Sequence, residues 1–584
     1  MSEKVQLNTT RQSDTKEYGI TTSISQLRSV HSNTGAGEVN YINAQTAHGD
    51  EALLAEIGYK QELKRQFSTI QVFGIAFSIM GLLPSIASVM GGGLTGGPVT
   101  LVWGWFISGL CILTIGISMA ESASACPTAG GLFYWTGLYS PTRYKVSFSF
   151  IIGWVNSLAL VSGVCSIAYG FAEEVLAAVV IQKDGNFDVT NGKTYGVFAA
   201  AVIGMTLSTC LASTAISRLQ TFSIVANCFI ILLLFIALPI GTKINRGGFN
   251  NGKFIFGTFE NFADWNDGWQ FCLQGFMPAC WTIGAFDSCV HQSEEAKDAS
   301  KAVPIGIIGS ITTCWLLGWL ILIVLMACVD PNLENVIDSE YGFALAQIIY
   351  DSLGKNWAIA FMSLIAFCQF LMGASIMTAV SRQVYAFARD NGLIFSRYIK
   401  MVHKKWSVPI NAVIACCIGS LALGCLCLID TAAANALFSL AISNNYVAWG
   451  FPTAMRLTFG RDIFKPGPFY LGKFWSPVVD WFSVIYQSFI IILVMFPSTQ
   501  HNIAKDTMNY ACVIGPGVVI LSWLYYIAYQ KKYYHGPISN LTDEEYIDKV
   551  GTDVIDEIMS QQKMEHEEGE EEENDKIGNS YSSN

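Results

Sequence analysis

The sequence contains few charged residues. They make up 14% of its 584 residues, whereas hydrophobic residues make up 52%; a typical soluble protein is about 25% charged. The hydrophobic residues also occur in long continuous runs, which the core of a soluble domain does not need. This composition excludes an ordinary soluble protein and predicts a chain that crosses a membrane several times.

Several functional motifs are missing as well. The first 65 residues hold no apolar run of the kind found in cleavable signal peptides. The chain has no G-x-x-x-x-G-K-[ST] motif for ATP, no acid–base or nucleophile signature of an enzyme, and no basic patch for nucleic acid. Its 16 cysteines lie mostly in apolar runs without the paired spacing of zinc ligands. We therefore expect no disulfide, no metal and no cofactor.

Twelve apolar runs are long enough to cross a bilayer, which takes about 20 residues in a helix. Backbone groups in lipid must satisfy their own hydrogen bonds, so these runs predict an all-α integral membrane protein with 12 transmembrane helices. The runs are 71–90, 99–119, 148–180, 195–216, 219–240, 269–290, 305–329, 357–380, 410–428, 432–453, 478–496 and 510–528.

Lysine and arginine residues are unevenly divided between the two sides of these spans. With the N-terminus in the cytosol, 20 of them flank the spans on the cytosolic side and 7 lie in the outer loops. Positive residues concentrate on the cytosolic side of membrane proteins, so we expect both termini in the cytosol. The chain then divides into a disordered N-terminal tail (1–65), a twelve-helix domain (66–530) and an acidic C-terminal tail (531–584).

Spans 1 and 6 carry helix-breaking residues near their centres. Span 1 contains Gly81 and Pro84, and span 6 contains Gly275, Pro278 and Gly284. Simple packing kinks are one interpretation, because glycine and proline are common in transmembrane helices. The other is a pair of inverted five-helix repeats whose broken helices face each other near the bilayer midplane. Helix ends exposed at such breaks would suit a zwitterion, because N-termini attract carboxylates and C-terminal carbonyls attract ammonium groups.

Ionisable residues inside the spans are rare, and Asp287 in span 6 is the most informative. A charge inside a span is costly, so Asp287 is predicted to bind an ammonium group, carry a proton or hold the broken helix together. The alternative is a hydrated position near the cytosolic end of the span. Glu173 and Glu174 are expected at the outer interface. Five polar residues could line a cavity or form helix–helix hydrogen bonds equally well: Asn156, Gln369, Asn435, Asn444 and Asn445.

Two segments resemble signature sequences of the amino acid–polyamine–organocation permeases. They are ESASACPTAGGLFYW (121–135), after span 2, and DSCVHQSEEAKDASKAVPIGI (287–307), after span 6. Further stretches, such as SNTGAGEVNYINA (32–44) and PGPFYLGKFWSPVV (466–479), are similar to the fungal permeases for 4-aminobutyrate (GABA). These permeases belong to the amino acid/choline transporter branch of the superfamily, and the resemblance extends over nearly the whole chain.

The resemblance implies a fold of two inverted five-helix repeats plus two C-terminal helices. It implies proton-coupled uptake of GABA, with polyamines such as putrescine or related ω-amino acids as further substrates. Its partners would be the substrate, protons and the lipid bilayer. The vacuolar membrane is the favoured location and the plasma membrane the second. The alternatives are a permease for another amine of the same branch (choline, a polyamine or a biotin precursor) and a nutrient sensor that binds without transporting.

The resemblance also implies roles for individual residues. The unwound part of span 1, which would meet the substrate carboxylate, comprises Phe77, Ser78, Ile79, Met80 and Gly81. The break in span 6 comprises Trp281, Gly284, Ala285, Phe286 and Asp287, with Phe286 as a gate. Some proton-coupled relatives have a lysine on span 5 in the place of a sodium ion. This chain has Asn227 there, which cannot titrate, and Asp287 is the other candidate for the coupling group.

Overall fold

The computed structural model describes residues 50, 53–55, 57–210, 213–403, 408–497, 499–500 and 508–537, without the side chains of 213–217. The described residues up to Gln61 belong to one unit, and the described residues from Glu62 to Pro537 form a second. In the first unit, residues 53–55 are helical, and the Ile57 N–H donates to the Leu53 carbonyl at 3.3 Å. Most of both predicted tails, including the acidic stretch 567–575, lies outside the described residues.

The second unit is helical, and its described residues contain no β-strand beyond two isolated bridges. Its helices are α1 (Thr69–Met80), α2 (Leu82–Leu94), α3 (Gly97–Ala125), α4 (Gly131–Tyr139), α5 (Lys145–Gln182), α6 (Asn191–Thr209), α7 (Ser213–Asn245), α8 (Gly252–Gly257), α9 (Asp267–Thr282), α10 (Ser288–His291), α11 (Ala299–Cys328), α12 (Glu334–Ile337), α13 (Ala344–Leu353), α14 (Lys355–Arg389), α15 (Ser396–Ile399), α16 (Ile410–Leu423), α17 (Thr431–Thr458), α18 (Gly472–Leu493) and α19 (Ala511–Ala528).

Nine helical segments in the described part of the chain are long and apolar enough to cross a membrane, with α1 and α2 counted together. They match nine of the twelve predicted spans and confirm a helical membrane protein. The other three predicted spans correspond to α6, α9 and α17. These helices do not qualify by length and composition alone; α9, for example, has only 16 residues.

Four pairs of helices that are five spans apart pack against each other. Span 1 contacts span 6 through α2 and α9, and span 2 contacts span 7 through α3 and α11. Span 3 contacts span 8 through α5 and α14, and span 4 contacts span 9 through α6 and α16. Glycines also allow spans 2 and 6 to approach closely, since a Cβ on Gly104 of α3 would lie 2.5 Å from the Gly275 Cα of α9.

Buried ion pairs join the helices near one end of the bundle. Arg456 of α17 donates to Asp480 of α18 at 2.6 Å and to Glu121 of α3 at 3.0 Å. The Leu471 N–H and the Ser476 hydroxyl also donate to the Glu121 carboxylate, at 2.9 and 2.6 Å. Burying charges is tolerated only when they are paired and hydrogen-bonded. This cluster therefore fixes the relative positions of three helices.

A second cluster of ion pairs follows α10. Glu294 accepts two hydrogen bonds from Arg389 of α14, both at 3.0 Å, and Glu295 accepts one from Arg382 at 2.7 Å. All four side chains are at most 5% exposed. The segment after span 6 is therefore attached to α14, the helix that corresponds to span 8.

Candidate functional site

Span 1 is interrupted at a single residue, Gly81. α1 ends at Met80, α2 begins at Leu82, and Gly81 between them has φ 43° and ψ 59°. Glycine adopts this left-handed conformation without steric cost, and a Cβ here would lie 2.5 Å from the Met372 Sδ. The predicted break is confirmed and is formed by Gly81. Pro84 lies in the first turn of α2, where its missing N–H costs little.

Span 6 is interrupted over a longer stretch. α9 ends at Thr282, α10 begins at Ser288, and residues 283–287 between them are not helical. Within this stretch Ala285 has φ 56°, a left-handed conformation that costs a residue with a Cβ about 1–2 kcal/mol. The break predicted in span 6 is confirmed. Pro278, however, lies inside α9 rather than at its end, so the break begins after the proline.

A small cavity lies between the two breaks. Its volume is about 30 Å³, which leaves room for about two water molecules. Four of the predicted site residues line it: Ile79, Trp281, Gly284 and Ala285. The remaining lining comes mainly from α5, α14 and α17 and includes Ile167, Met372, Ile376, Asn445, Tyr446 and Trp449. The cavity is contracted in this state, and a larger ligand requires its walls to move apart.

Five residues that line the cavity have buried polar atoms without a hydrogen-bond partner among the described residues. These atoms are Trp281 Nε1, Thr282 Oγ1, Asn445 Oδ1, Tyr446 OH and Trp449 Nε1. Buried polar groups in native proteins are almost always hydrogen-bonded, so the cavity is suited to a polar ligand. The indole N–H groups and the hydroxyls can donate to a carboxylate. The amide oxygen and the aromatic faces can receive an ammonium group.

Aromatic rings pack against one another beside the cavity on the α17 side. Phe286 is fully buried, and its ring centroid lies 4.4 Å from that of Trp449. The Tyr446 ring also packs against Trp449, with the two ring centroids 5.2 Å apart. Phe286 belongs to the non-helical stretch of span 6, so a change in that stretch would move its ring away from Trp449. This placement suits the predicted gating role of Phe286, which stays a prediction.

Ser78 does not line the cavity but belongs to a neutral polar network that joins three helices. Its hydroxyl is hydrogen-bonded to the Ser223 hydroxyl of α7 and lies 3.2 Å from the Ser375 hydroxyl of α14. Ser375 donates to Gln220 Oε1 at 2.8 Å, and Asn227 Nδ2 donates to the Ser223 carbonyl at 2.9 Å. The structure thus brings Ser78 and Asn227 into one network in which no member titrates near neutral pH.

Two further predicted residues of span 1 are buried without reaching the cavity. Phe77 stacks on Phe73, with the ring centroids 5.9 Å apart. The Met80 carbonyl accepts a hydrogen bond from the Ser85 hydroxyl at 2.7 Å, which satisfies a backbone group at the break. Of the five residues predicted for span 1, only Ile79 therefore faces the cavity in this state.

Asp287 lies beside the cavity and is fully buried. Its Oδ2 accepts a hydrogen bond from Asn156 Nδ2 of α5 at 3.3 Å and lies 3.4 Å from His291 Nε2. Its Oδ1 has no hydrogen-bond partner in the described part of the chain. This burial favours a functional role for Asp287 over the alternative of a hydrated carboxylate. A buried carboxylate without a lysine or arginine partner is costly when charged, and such residues tend to mark function.

The other polar residues of the spans divide into buried and exposed sets. Glu174 is fully buried and neither carboxylate oxygen has a hydrogen-bond partner among the described residues. Glu174 is therefore enclosed by the protein, whereas Glu173 is half-buried, and their interfacial position stays a prediction. Asn435 is exposed. The buried set comprises Asn156, Gln369, Asn444 and Asn445.

Sequence reasoning missed three residues beside the breaks. His291 lies four residues after Asp287, a helical spacing that places both side chains on one face. This signal was present in the segment DSCVH. Tyr446 and Trp449 follow the polar pair Asn444–Asn445 on α17, which was a weaker signal. The partners of Ser78 left no local signal, since they lie on two distant helices.

A family model described as amino acid permease matches residues 67–519. A protein of Saccharomyces cerevisiae named GABA-specific permease is 71% identical to this chain, over 92% of the chain and 94% of its own length. An amino-acid permease of Arabidopsis thaliana is 32% identical over 84% of the chain and 96% of its own length. An uncharacterised amino-acid permease of Schizosaccharomyces pombe is 32% identical over 88% of the chain and 92% of its own length. The chain therefore belongs to the amino acid permease family, which consists of membrane transporters rather than enzymes.

Proposed function

We propose that this chain is a secondary active permease that moves GABA across a fungal membrane together with protons. The observation that carries the proposal is the cavity between the two breaks, whose unpartnered polar atoms match the two charged ends of an amino acid. The choice of GABA is supported by the 71% identity to the yeast protein named GABA-specific permease. Polyamines such as putrescine and related ω-amino acids are proposed as further substrates.

The proposed binding site consists of the residues predicted from the two breaks. It comprises Phe77, Ser78, Ile79, Met80, Gly81, Trp281, Gly284, Ala285, Phe286 and Asp287. To these we add Asn445, Tyr446 and Trp449, because they line the same cavity. Indole N–H donors and the N-terminus of α2 would hold the carboxylate. Ring faces and the Asn445 amide oxygen would hold the ammonium group.

Aliphatic side chains lie among these polar groups. Ile79, Met372 and Ile376 all line the cavity. A ligand with charges at both ends and methylene groups between them would place its chain on this apolar wall. An ω-amino acid fits this pattern better than choline, which has no carboxylate for the indole donors.

The proposed architecture is two inverted repeats of five helices followed by two more. Two observations support it. The packing partners of spans 1 to 4 lie five spans further along the chain, and each broken span has one residue in the left-handed conformation, Gly81 and Ala285. The excess of lysine and arginine on one side, 20 against 7, supports cytosolic termini. We propose the vacuolar membrane as the location, with the plasma membrane as the second choice.

The test is uptake of radiolabelled GABA by proteoliposomes that contain the purified chain. We expect uptake to be faster when the solution from which GABA is taken up is more acidic than the solution inside the vesicles. Unlabelled putrescine and choline, added separately in excess, measure specificity. Uptake of choline with no uptake of GABA would contradict the proposal, and binding of GABA without uptake would indicate a sensor.

A further inference from the structure

Asp287 and His291 lie at opposite ends of the short helix α10. Asp287 directly precedes α10 and His291 is its last residue. Both side chains are 0% exposed, and Asp287 Oδ2 lies 3.4 Å from His291 Nε2. This segment begins where the break of span 6 ends. A movement of the break therefore changes the surroundings of both groups together.

The hydrogen bonds around the pair determine where its protons are. His291 Nδ1 lies 3.0 Å from the Ala129 carbonyl oxygen, and because a carbonyl only accepts, Nδ1 carries a hydrogen. Nε2, which faces Asp287, is then unprotonated in a neutral imidazole. A charged carboxylate would face the lone pair of this nitrogen, which is unfavourable. One proton between the two groups removes the conflict, either on the carboxyl group or on the imidazole.

Neighbouring charges do not neutralise the pair. The helices packed against α10 are α1, α11 and α14. From α14, Arg382 and Arg389 are each bonded to a glutamate of the segment after α10. Tyr385 of the same helix donates to Glu62. The α1 helix has no ionisable residue, and the first charged residue of α11, Lys301, is half exposed beside Asp298.

Two other ionisable groups complete these surroundings. Cys289 of α10 contacts the Val72 carbonyl of α1 at 3.6 Å. Arg65 donates to the carbonyls of Ser293 and Ala296 at 3.3 and 2.7 Å, beyond the end of α10. Asn156 supplies a neutral donor to Asp287. Removing the proton from the pair would therefore leave a net negative charge in a fully buried site, which is costly.

We propose that Asp287 and His291 share one exchangeable proton, and that this is the proton that crosses the membrane with the substrate. The inference rests on the proposed proton-coupled transport and names its carrier. In the closed state the pair is protonated once and neutral. When the break of span 6 opens towards the cytosol and admits water, an O–H or N–H bond breaks and the proton passes to a water molecule. No oxidation or reduction takes part.

The first test compares GABA–GABA exchange with gradient-driven accumulation in proteoliposomes whose membrane potential is clamped at zero. With one proton per GABA, a pH difference of about one unit supports up to about tenfold accumulation. We expect His291→Gln to lose this accumulation, whereas exchange stays measurable. His535→Gln is the control, because His535 is exposed and lies beyond the last span. Full accumulation by His291→Gln would overturn the inference.

A second variant remains informative if His291→Gln does not fold. Asn156→Ala removes the hydrogen bond that Asp287 Oδ2 accepts and leaves both Asp287 and His291 in place. The midpoint of the pH profile of GABA uptake is expected to shift. An unchanged midpoint would contradict the inference. Glu174→Gln tests the other buried carboxylate, since loss of accumulation in this variant alone would assign the proton to α5 instead.

The third measurement does not require GABA. Infrared difference spectra of the purified protein, recorded across a pH series, should contain a titration whose midpoint moves in both Asp287→Asn and His291→Gln, because the remaining group then titrates without its coupled partner. Two independent titrations, each unchanged when the other group is replaced, would overturn the shared proton. If the wild-type protein shows the shared titration but exchanges no GABA, the proposed function is wrong, whereas the shared proton of Asp287 and His291 is still supported.

Discussion

The two helix breaks differ in length and in chemistry. The break in span 1 is one residue long, and the side chains around Ser78 are hydroxyls and amides. The break in span 6 covers residues 283–287 and ends at an acid, Asp287, with a base, His291, one turn away. The break in span 1 thus resembles a hinge that is surrounded by neutral polar side chains. The second is a longer non-helical stretch attached to ionisable groups.

This difference indicates that the two breaks have different roles in transport. Rotation about one glycine changes the direction of α1 relative to α2 without exposing a charge. The stretch in span 6 connects Phe286, which packs against the cavity residue Trp449, to the Asp287–His291 pair. Movement of Phe286 and release of the proposed proton can therefore be one event in span 6.

Replacing Asp287 should have the largest effect. In Asp287→Asn the site can no longer exchange a proton, so we expect gradient-driven GABA uptake to fall to the level of empty vesicles, with the protein still in the membrane. Uptake of radiolabelled GABA measures this. Asp338→Asn, at an exposed position, is the control. Uptake by Asp287→Asn within about twofold of the wild type would show that span 6 carries no essential charge.

Filling the hinge in span 1 should have the next largest effect. In Gly81→Leu the side chain must adopt a left-handed conformation and overlap Met372, each at a cost of about 1–3 kcal/mol. We expect both exchange and accumulation of GABA to fall about tenfold or more, since 1.4 kcal/mol corresponds to a factor of ten. Gly196→Leu is the matched control, because nothing lies within 4 Å of its Cβ position. An equal loss of GABA transport in Gly81→Leu and Gly196→Leu would show that Gly81 has no special role as a hinge.

The attachment of span 6 should affect stability more than coupling. Burial alone would raise the pKa of Glu294, but Arg389 holds this pKa below its ordinary value. The stabilisation is therefore complete above the ordinary glutamate pKa and is lost as the pH falls through the lower pKa of the folded state. Breaking such a buried pair costs about 3–5 kcal/mol, so Glu294→Gln should unfold at a markedly lower temperature at neutral pH.

Thermal unfolding of the detergent-solubilised protein, followed from neutral to acidic pH, checks this expectation. The difference between wild type and Glu294→Gln should shrink as the solution becomes more acidic, because protonation removes the same ion pair from the wild type. Glu340→Gln changes an exposed carboxylate and serves as the control. A difference that grows with acidity would contradict the assigned direction of the pKa.

The smallest effect is expected at Ala285, and it should be favourable. The left-handed conformation of Ala285 costs about 1–2 kcal/mol, and Ala285→Gly removes this cost. Part of the gain in stability is offset, because glycine increases the conformational entropy of the unfolded chain. We expect a slight rise in the unfolding temperature. The control Ala200→Gly, on the exposed side of α6, should instead lose about 1 kcal/mol. A destabilised Ala285→Gly would mean that the alanine methyl group contributes to packing.

The sequence predicted the breaks because their causes are local. A glycine in the middle of an apolar run is visible without a structure, and so is an aspartate within a span. The predicted break included Trp281, which the structure places in the last turn of α9, and Pro278 lies within the same helix, because a proline inside a helix is tolerated when neighbouring groups compensate. The contact between Phe286 and Trp449 and the network around Ser78 join residues far apart in the chain. No local pattern encodes such contacts, so they could not be predicted.

The contracted cavity has a consequence for the empty protein. After releasing its cargo, a carrier must return to the starting side, and it passes through a closed form with nothing bound. Each 100 Å³ of void enclosed on this return would cost about 2 kcal/mol. A cavity of about 30 Å³ encloses almost none. We therefore expect the return of the unloaded carrier to be fast enough for net uptake, rather than for one-to-one exchange alone.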